Sequence, residues 1–99
     1  MANLDIVFNG GVVDNATVTD TSTEIRPENL NREYLILRNM STVNTVYLAV
    51  GADAELEKGI PIYPREFWEM TTDNLSGAVV NGICEAGKTA KIAIQVGTR

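Results

Sequence analysis

Eight consecutive residues, Gly82-Ile83-Cys84-Glu85-Ala86-Gly87-Lys88-Thr89, satisfy the G-x-x-x-x-G-K-[ST] pattern of a phosphate-binding loop. Such a loop works because backbone N–H groups and the N-terminus of a following helix surround the phosphates. Here the residues that follow alternate as a strand, with Ala90, Ile92, Ile94 and Val96 on one face and Lys91, Ala93 and Gln95 on the other. Glu85 would also put a carboxylate inside the anion site. The segment therefore reads as a plain hairpin turn, Glu85 to Lys88, between strands at Ala78 to Cys84 and Ala90 to Val96. No nucleotide cofactor is expected, nor any other.

Asp53, Glu55 and Glu57 alternate, so on an extended backbone their carboxylates would point the same way and could collect a hard cation such as calcium. The segment lacks the Asp/Asn-and-Gly spacing of an EF-hand, and a solvated acidic loop without metal is the reading adopted. Cys84 lies beside Ile83 in an apolar strand with nothing basic close by, which points to a buried inert thiol and away from a nucleophile. Tyr63, Phe67 and Trp68 gather around the Pro64 turn. Core packing is the ordinary fate of such a cluster; the functional reading makes Tyr63 and Trp68 partner contacts or a sugar-stacking platform. The Asn-x-Ser/Thr triplets at Asn15, Asn39 and Asn74 have no secretory context and are expected to be unmodified.

Composition removes whole classes of chemistry. The absence of histidine eliminates Ser-His-Asp and Cys-His catalysis and His-type zinc sites. Thirteen acids against eight bases give a formal charge of −5, which opposes binding to nucleic acid or anionic lipid through the whole-molecule field. One cysteine cannot form an internal disulfide. No apolar run approaches the roughly 18 to 20 residues that span a bilayer, and the N-terminus does not read as a signal peptide, so synthesis in a cytoplasm is expected. Ninety-nine residues suffice for one domain with one core.

The elements that must position these residues are strands throughout. Arg32 to Gly51 reads as a central hairpin: Leu35, Leu37 and Asn39 share one face of the first run, Tyr34, Ile36 and Arg38 the other, and Val46, Leu48 and Val50 alternate in the second run. The polar segment Asn39 to Thr45 supplies the reversal. Leu4, Ile6 and Phe8 alternate towards Asn9-Gly10-Gly11, which reads as a first strand closed by a turn. Residues 1–11 would be an N-terminal arm or edge strand, with Leu4, Ile6 and Phe8 as contacts to another subunit. One or two short strands follow between Val12 and Thr23, and Pro27 shapes a connection from Ile25 to Asn31. Pro61 and Pro64 mark the Ile60 to Pro64 run as an edge strand, since neither can donate a ladder hydrogen bond. Thr71 to Gly77 is a loop. About eight short strands at intervals of roughly 8 to 12 residues make an all-β fold, a single antiparallel β-sandwich or jelly-roll-like domain over residues 1–99.

The order Pro27-Glu28-Asn29, Arg32-x-Tyr34-Leu35-x-Leu37-x-Asn39-x-Ser41, Val46-Tyr47-Leu48 with Gly51, and Gly59-Ile60-Pro61-Ile62-x-Pro64 resembles small structural proteins of tailed bacteriophages. The likeness covers roughly Val18 to Val96. It implies a β-sandwich or jelly-roll domain without enzymatic activity, carried on the virion. The leading expectation is a decoration or cement protein that stabilises the outer face of the head shell. Its partners would be the major capsid protein or other virion proteins, and it would be a homo-oligomer with a trimer favoured. A neck, tail or fibre component is the structural alternative, and a sugar-binding β-sandwich module using Trp68 and Tyr63 is the alternative from another class. The resemblance makes Asn39 and Ser41 turn formers, Gly51 and Gly59 sites of backbone freedom and Pro64 a fixed bend. Arg65-Glu66 stands where the pattern has a glycine.

Overall fold

The computed structural model of the protein describes residues 10–99, so Leu4, Ile6, Phe8 and the strand expected there lie outside the described residues. The chain forms β1 (Gly10–Val18), β2 (Thr23–Arg26), β3 (Arg32–Asn39), β4 (Val46–Val50), β5 (Ile60–Ile62), β6 (Phe67–Met70), β7 (Val80–Ile83) and β8 (Ala90–Thr98). They make two four-stranded antiparallel sheets, ordered β1-β8-β3-β6 (sheet A) and β2-β7-β4-β5 (sheet B). The chain changes sheet at every connection except β4 to β5, which is the strand order of a jelly roll.

Alternation decides which side chains enter the core. Leu35, Leu37, Ile92, Ile94 and Val96 from sheet A meet Val46, Leu48, Ile62 and Val80 from sheet B, all essentially inaccessible to water. Burying one such side chain contributes about 1.5–3 kcal/mol, so the contiguous cluster is the main source of stability. Trp68, Ala16, Val50 and Ile60 are half-buried against its margin. On the outer face of sheet A the ring of Tyr34 lies over Gly97, where an added Cβ would run into the ring.

Three expectations are corrected. Arg32 to Gly51 is not a hairpin: β3 belongs to sheet A and β4 to sheet B, and Asn39 to Thr45 carries the chain across the sandwich. β7 and β8 likewise lie in opposite sheets, so Glu85 to Lys88 is a crossing turn and not a hairpin. Gly10 and Gly11 do not form a turn but open β1, in register with Thr98 and Gly97. A glycine accepts an extended backbone as readily as a turn, and pairing with the nine-residue β8 selects the former. Pro61 lies on an edge as expected, since β5 is the outer strand of sheet B. β2 takes in Ile25 and Arg26, the first two residues of the expected Ile25 to Asn31 connection, which therefore starts at Pro27.

Candidate functional site

The residues that carry the resemblance occupy the two ends of β3. Asn39 is fully buried, and its Nδ2 donates to the carbonyls of Asn44 (2.7 Å) and Ile62 (2.9 Å). Its Oδ1 accepts the Ser41 amide at 2.9 Å. Its own backbone donates to Glu66 O at 2.9 Å and accepts from Arg65 N at 3.1 Å. One residue thus ties the β3–β4 connection to β5 through its side chain and to the β5–β6 turn through its backbone. Ser41 Oγ extends the corner by accepting the amides of Val43 and Asn44 at 3.1 and 2.9 Å. Burial at this position also removes Asn39 from any glycosylation.

Arg32 closes the other end. It is 3% exposed, and its guanidinium donates to Ser76 O and Ala78 O at 2.9 Å each and to Pro27 O at 2.8 Å. Among the described residues no carboxylate pairs with it, and Nε is buried without a partner. Burial, followed by the like charge of Arg26, lowers the guanidinium below its ordinary range.

The glycines and the proline of the pattern are equally structural. Gly59 has φ +81°, and an added Cβ would meet the Leu48 carbonyl, so only glycine fits. Pro64 and Arg65 are the middle of a turn closed by Glu66 N donating to Tyr63 O at 3.0 Å. Arg65 takes φ +70° there, the conformation a type II turn demands and for which glycine is the favoured residue. The departure from the expected glycine therefore leaves the turn intact and strained.

The phosphate-loop pattern is dispersed. Gly82 is buried in β7, where a Cβ would crowd Ile25 and Val46. Lys88 N donates to Glu85 O at 2.9 Å to close a turn with Gly87 at φ +75°, and the strand β8 follows at Ala90 with no helix. The Gly87 amide, which an anion would need, donates instead to Asp20 Oδ2 at 2.9 Å. The acidic segment does not present three parallel carboxylates, because Glu55 to Lys58 is a turn, closed by Lys58 N donating to Glu55 O at 3.3 Å. Glu57 sits at φ +60°, and Glu55 is paired with Lys58 at 3.1 Å. Among the described residues no group of three or more potential ligands comes together to hold a metal ion.

Cys84 is buried in the core, with Sγ 3.8 Å from Val18 O. Burial first, then Asp20 and Glu85, raise its thiol above the ordinary value. Partial burial and the carboxylates of Glu85 and Glu57 likewise push the Tyr47 phenol up, on the outer face of sheet B.

The aromatic cluster is divided by the alternation of β6. Trp68 and Met70 face inward, and Trp68 packs against the core margin. Phe67 and Tyr63 are exposed at 60% and 53%. Of the two expected contact residues, Tyr63 is exposed and Trp68 is half-buried against the core margin. Phe67, which the sequence placed in the cluster without singling it out, is more exposed than Tyr63. Register aligns Arg38 with both Phe67 and Ala93, and Ile36 with Gln95 and Glu69, across the outer face of sheet A. On β1 the same face carries Val13, which is 79% exposed.

No helix among the described residues is long and apolar enough to cross a membrane. Comparison with protein-family models, with curated proteins and with solved structures finds nothing that matches this chain.

Proposed function

We propose that the protein is a non-enzymatic structural component of a tailed-bacteriophage virion, a decoration or cement protein bound to the outer face of the head shell, with the major capsid protein as its partner. It acts as a homo-oligomer, a trimer on threefold shell sites. The observation that supports this reading is the outer face of sheet A, where Val13, Ile36 and Phe67 are exposed. Arg38 lies beside Phe67 and Glu69 beside Ile36, so the face mixes apolar, aromatic and charged side chains as the surface of a protein contact does. The resemblance residues add to it from the inside: Arg32, Asn39 and Gly59 stiffen the jelly roll, and a rigid body binds with less ordering cost. A protein that binds the assembled shell stabilises it by mass action, and many copies on a lattice add avidity.

The test is occupancy on purified head shells prepared without this protein. Saturable binding and a higher temperature of shell disruption are expected, with Phe67→Asp losing occupancy while staying folded. Shells that take up no protein at any concentration would sink the proposal.

A further inference from the structure

The four sheet edges are not equivalent. On sheet B, β5 is three residues long and Pro61 has no N–H, while β2 is four residues long with a register shift between Glu24 and Arg26. On sheet A, β6 is four residues long, and the adjoining loop caps it, since Asn74 Nδ2 donates to Glu69 O at 3.1 Å. Short length, proline, bulges and covering loops are the devices that keep an edge from pairing with another chain. Among the described residues β1 has none of them. It runs nine residues in unbroken register with β8, contains no proline, lysine or arginine, and has no described strand or loop paired along its other side. Val12 on the core side is 46% exposed and Val13 on the outer side 79% exposed. The Asn15 amide donates to the Asp14 side chain, Oδ1 at 2.8 Å, and among the described residues no other side chain holds a β1 amide.

We infer that the open edge of β1 is a strand-acceptor site, and that its occupant is the Leu4–Phe8 segment of a second copy of this chain. That segment alternates Leu4, Ile6 and Phe8 with Asp5 and Val7, the pattern of a strand with one apolar face. At about 3.4 Å per residue it is roughly 17 Å long, and β1 offers roughly 30 Å of edge. With the apolar face turned to the core side, Leu4, Ile6 and Phe8 extend the cover over Val12 and Ala16, the two apolar side chains of β1 left incompletely buried on that face. Gly10 and Gly11, the glycines best suited to a reversal that would return the segment to its own edge, are taken up in β1 opposite Thr98 and Gly97, which favours pairing with another copy. A segment that leaves one copy and pairs with the next is a heterologous contact, which closes into a ring when the rotation permits. The main-chain bonds it makes are those of β-augmentation. This deepens the proposed structural role and rests on that reading for its purpose. The contact itself is tested on the purified protein without any shell, so its failure and a failure of shell binding are separate results.

The experiment combines sedimentation with amide hydrogen exchange on the full chain and on two full-chain variants. Ile6→Pro removes a donor from the middle of the incoming strand, and Val13→Lys places a charge beside the acceptor edge without touching the core. The unmodified chain is expected to sediment as an oligomer in which alternate β1 amides exchange about tenfold or more slowly than in Ile6→Pro, as for hydrogen-bonded strand amides. Ile6→Pro is expected to be a folded monomer, and Val13→Lys to need a higher concentration to associate. Three results each overturn the inference: an unmodified chain that is monomeric, β1-edge amides protected within a monomer, or both variants associating as the unmodified chain does.

Discussion

A neutral amide closes the sandwich at one end of β3 and a cation at the other, and the two corners differ in how completely their polar groups are matched. Asn39 has both amide hydrogens and its oxygen satisfied, within the β3–β4 connection and by β5. Arg32 reaches further, joining the carbonyl of Pro27 to those of Ser76 and Ala78, yet among the described residues its Nε has no partner and its charge no counter-ion. A buried unpaired charge is costly, so the arginine corner must be held by the carbonyls around it. Two of the three Asn39 side-chain bonds stay within the β3–β4 connection and one reaches β5; bridging two loops distant in sequence takes the longer, forked side chain.

Breaking the arginine corner should have the largest effect. Arg32→Ala removes three charge-assisted bonds and strands three carbonyls, and a loss of about 3–5 kcal/mol is expected in denaturant unfolding. A loss under 1 kcal/mol would mean that the Pro27 and Ser76 loops hold themselves.

Next comes Asn39→Asp, which swaps the Nδ2 donor for an oxygen facing the Asn44 and Ile62 carbonyls. About 3 kcal/mol should be lost at pH 7, because the buried position disfavours the carboxylate. The sign with pH follows: this variant's folded-state pKa lies above its unfolded value of about 3.9, so the penalty shrinks as pH falls towards 4. At the other corner the guanidinium stays charged, so the Arg32 contribution should be flat between about pH 5 and 9. Unfolding curves over that range separate the two.

A smaller effect is expected from Cys84, whose raised thiol favours the protonated form in the fold. The unfolded chain ionises first, so stability should decline slightly as pH rises past about 8.5, and Cys84→Ser should abolish that component of the slope. The smallest effect belongs to the turn tied to Asn39. Arg65→Gly relieves the positive φ and should stabilise by about 0.5 kcal/mol, reduced by the greater freedom of an unfolded glycine. An unchanged or lower melting temperature would show that the Arg65 side chain contributes more than its backbone costs.

Much of this architecture was legible residue by residue. Alternation in β3, β4 and β8 named the core face, and Pro61 named an edge, because side-chain period and a missing N–H are local properties. The β-branched residues and turn glycines likewise made the chain all-β before any pairing was known. The aromatic cluster was legible only as a cluster; inward Trp68 and outward Phe67 follow from which residue of β6 faces Leu37. The pairing itself was settled by tertiary structure alone. A polar segment such as Asn39 to Thr45 can return a strand beside its neighbour or carry it to the opposite sheet with the same turn chemistry. The choice falls to partners far away in the chain, Ile62 O for the Asn39 amide and Ser76 O and Ala78 O for Arg32, which exist only once both sheets have closed over one core.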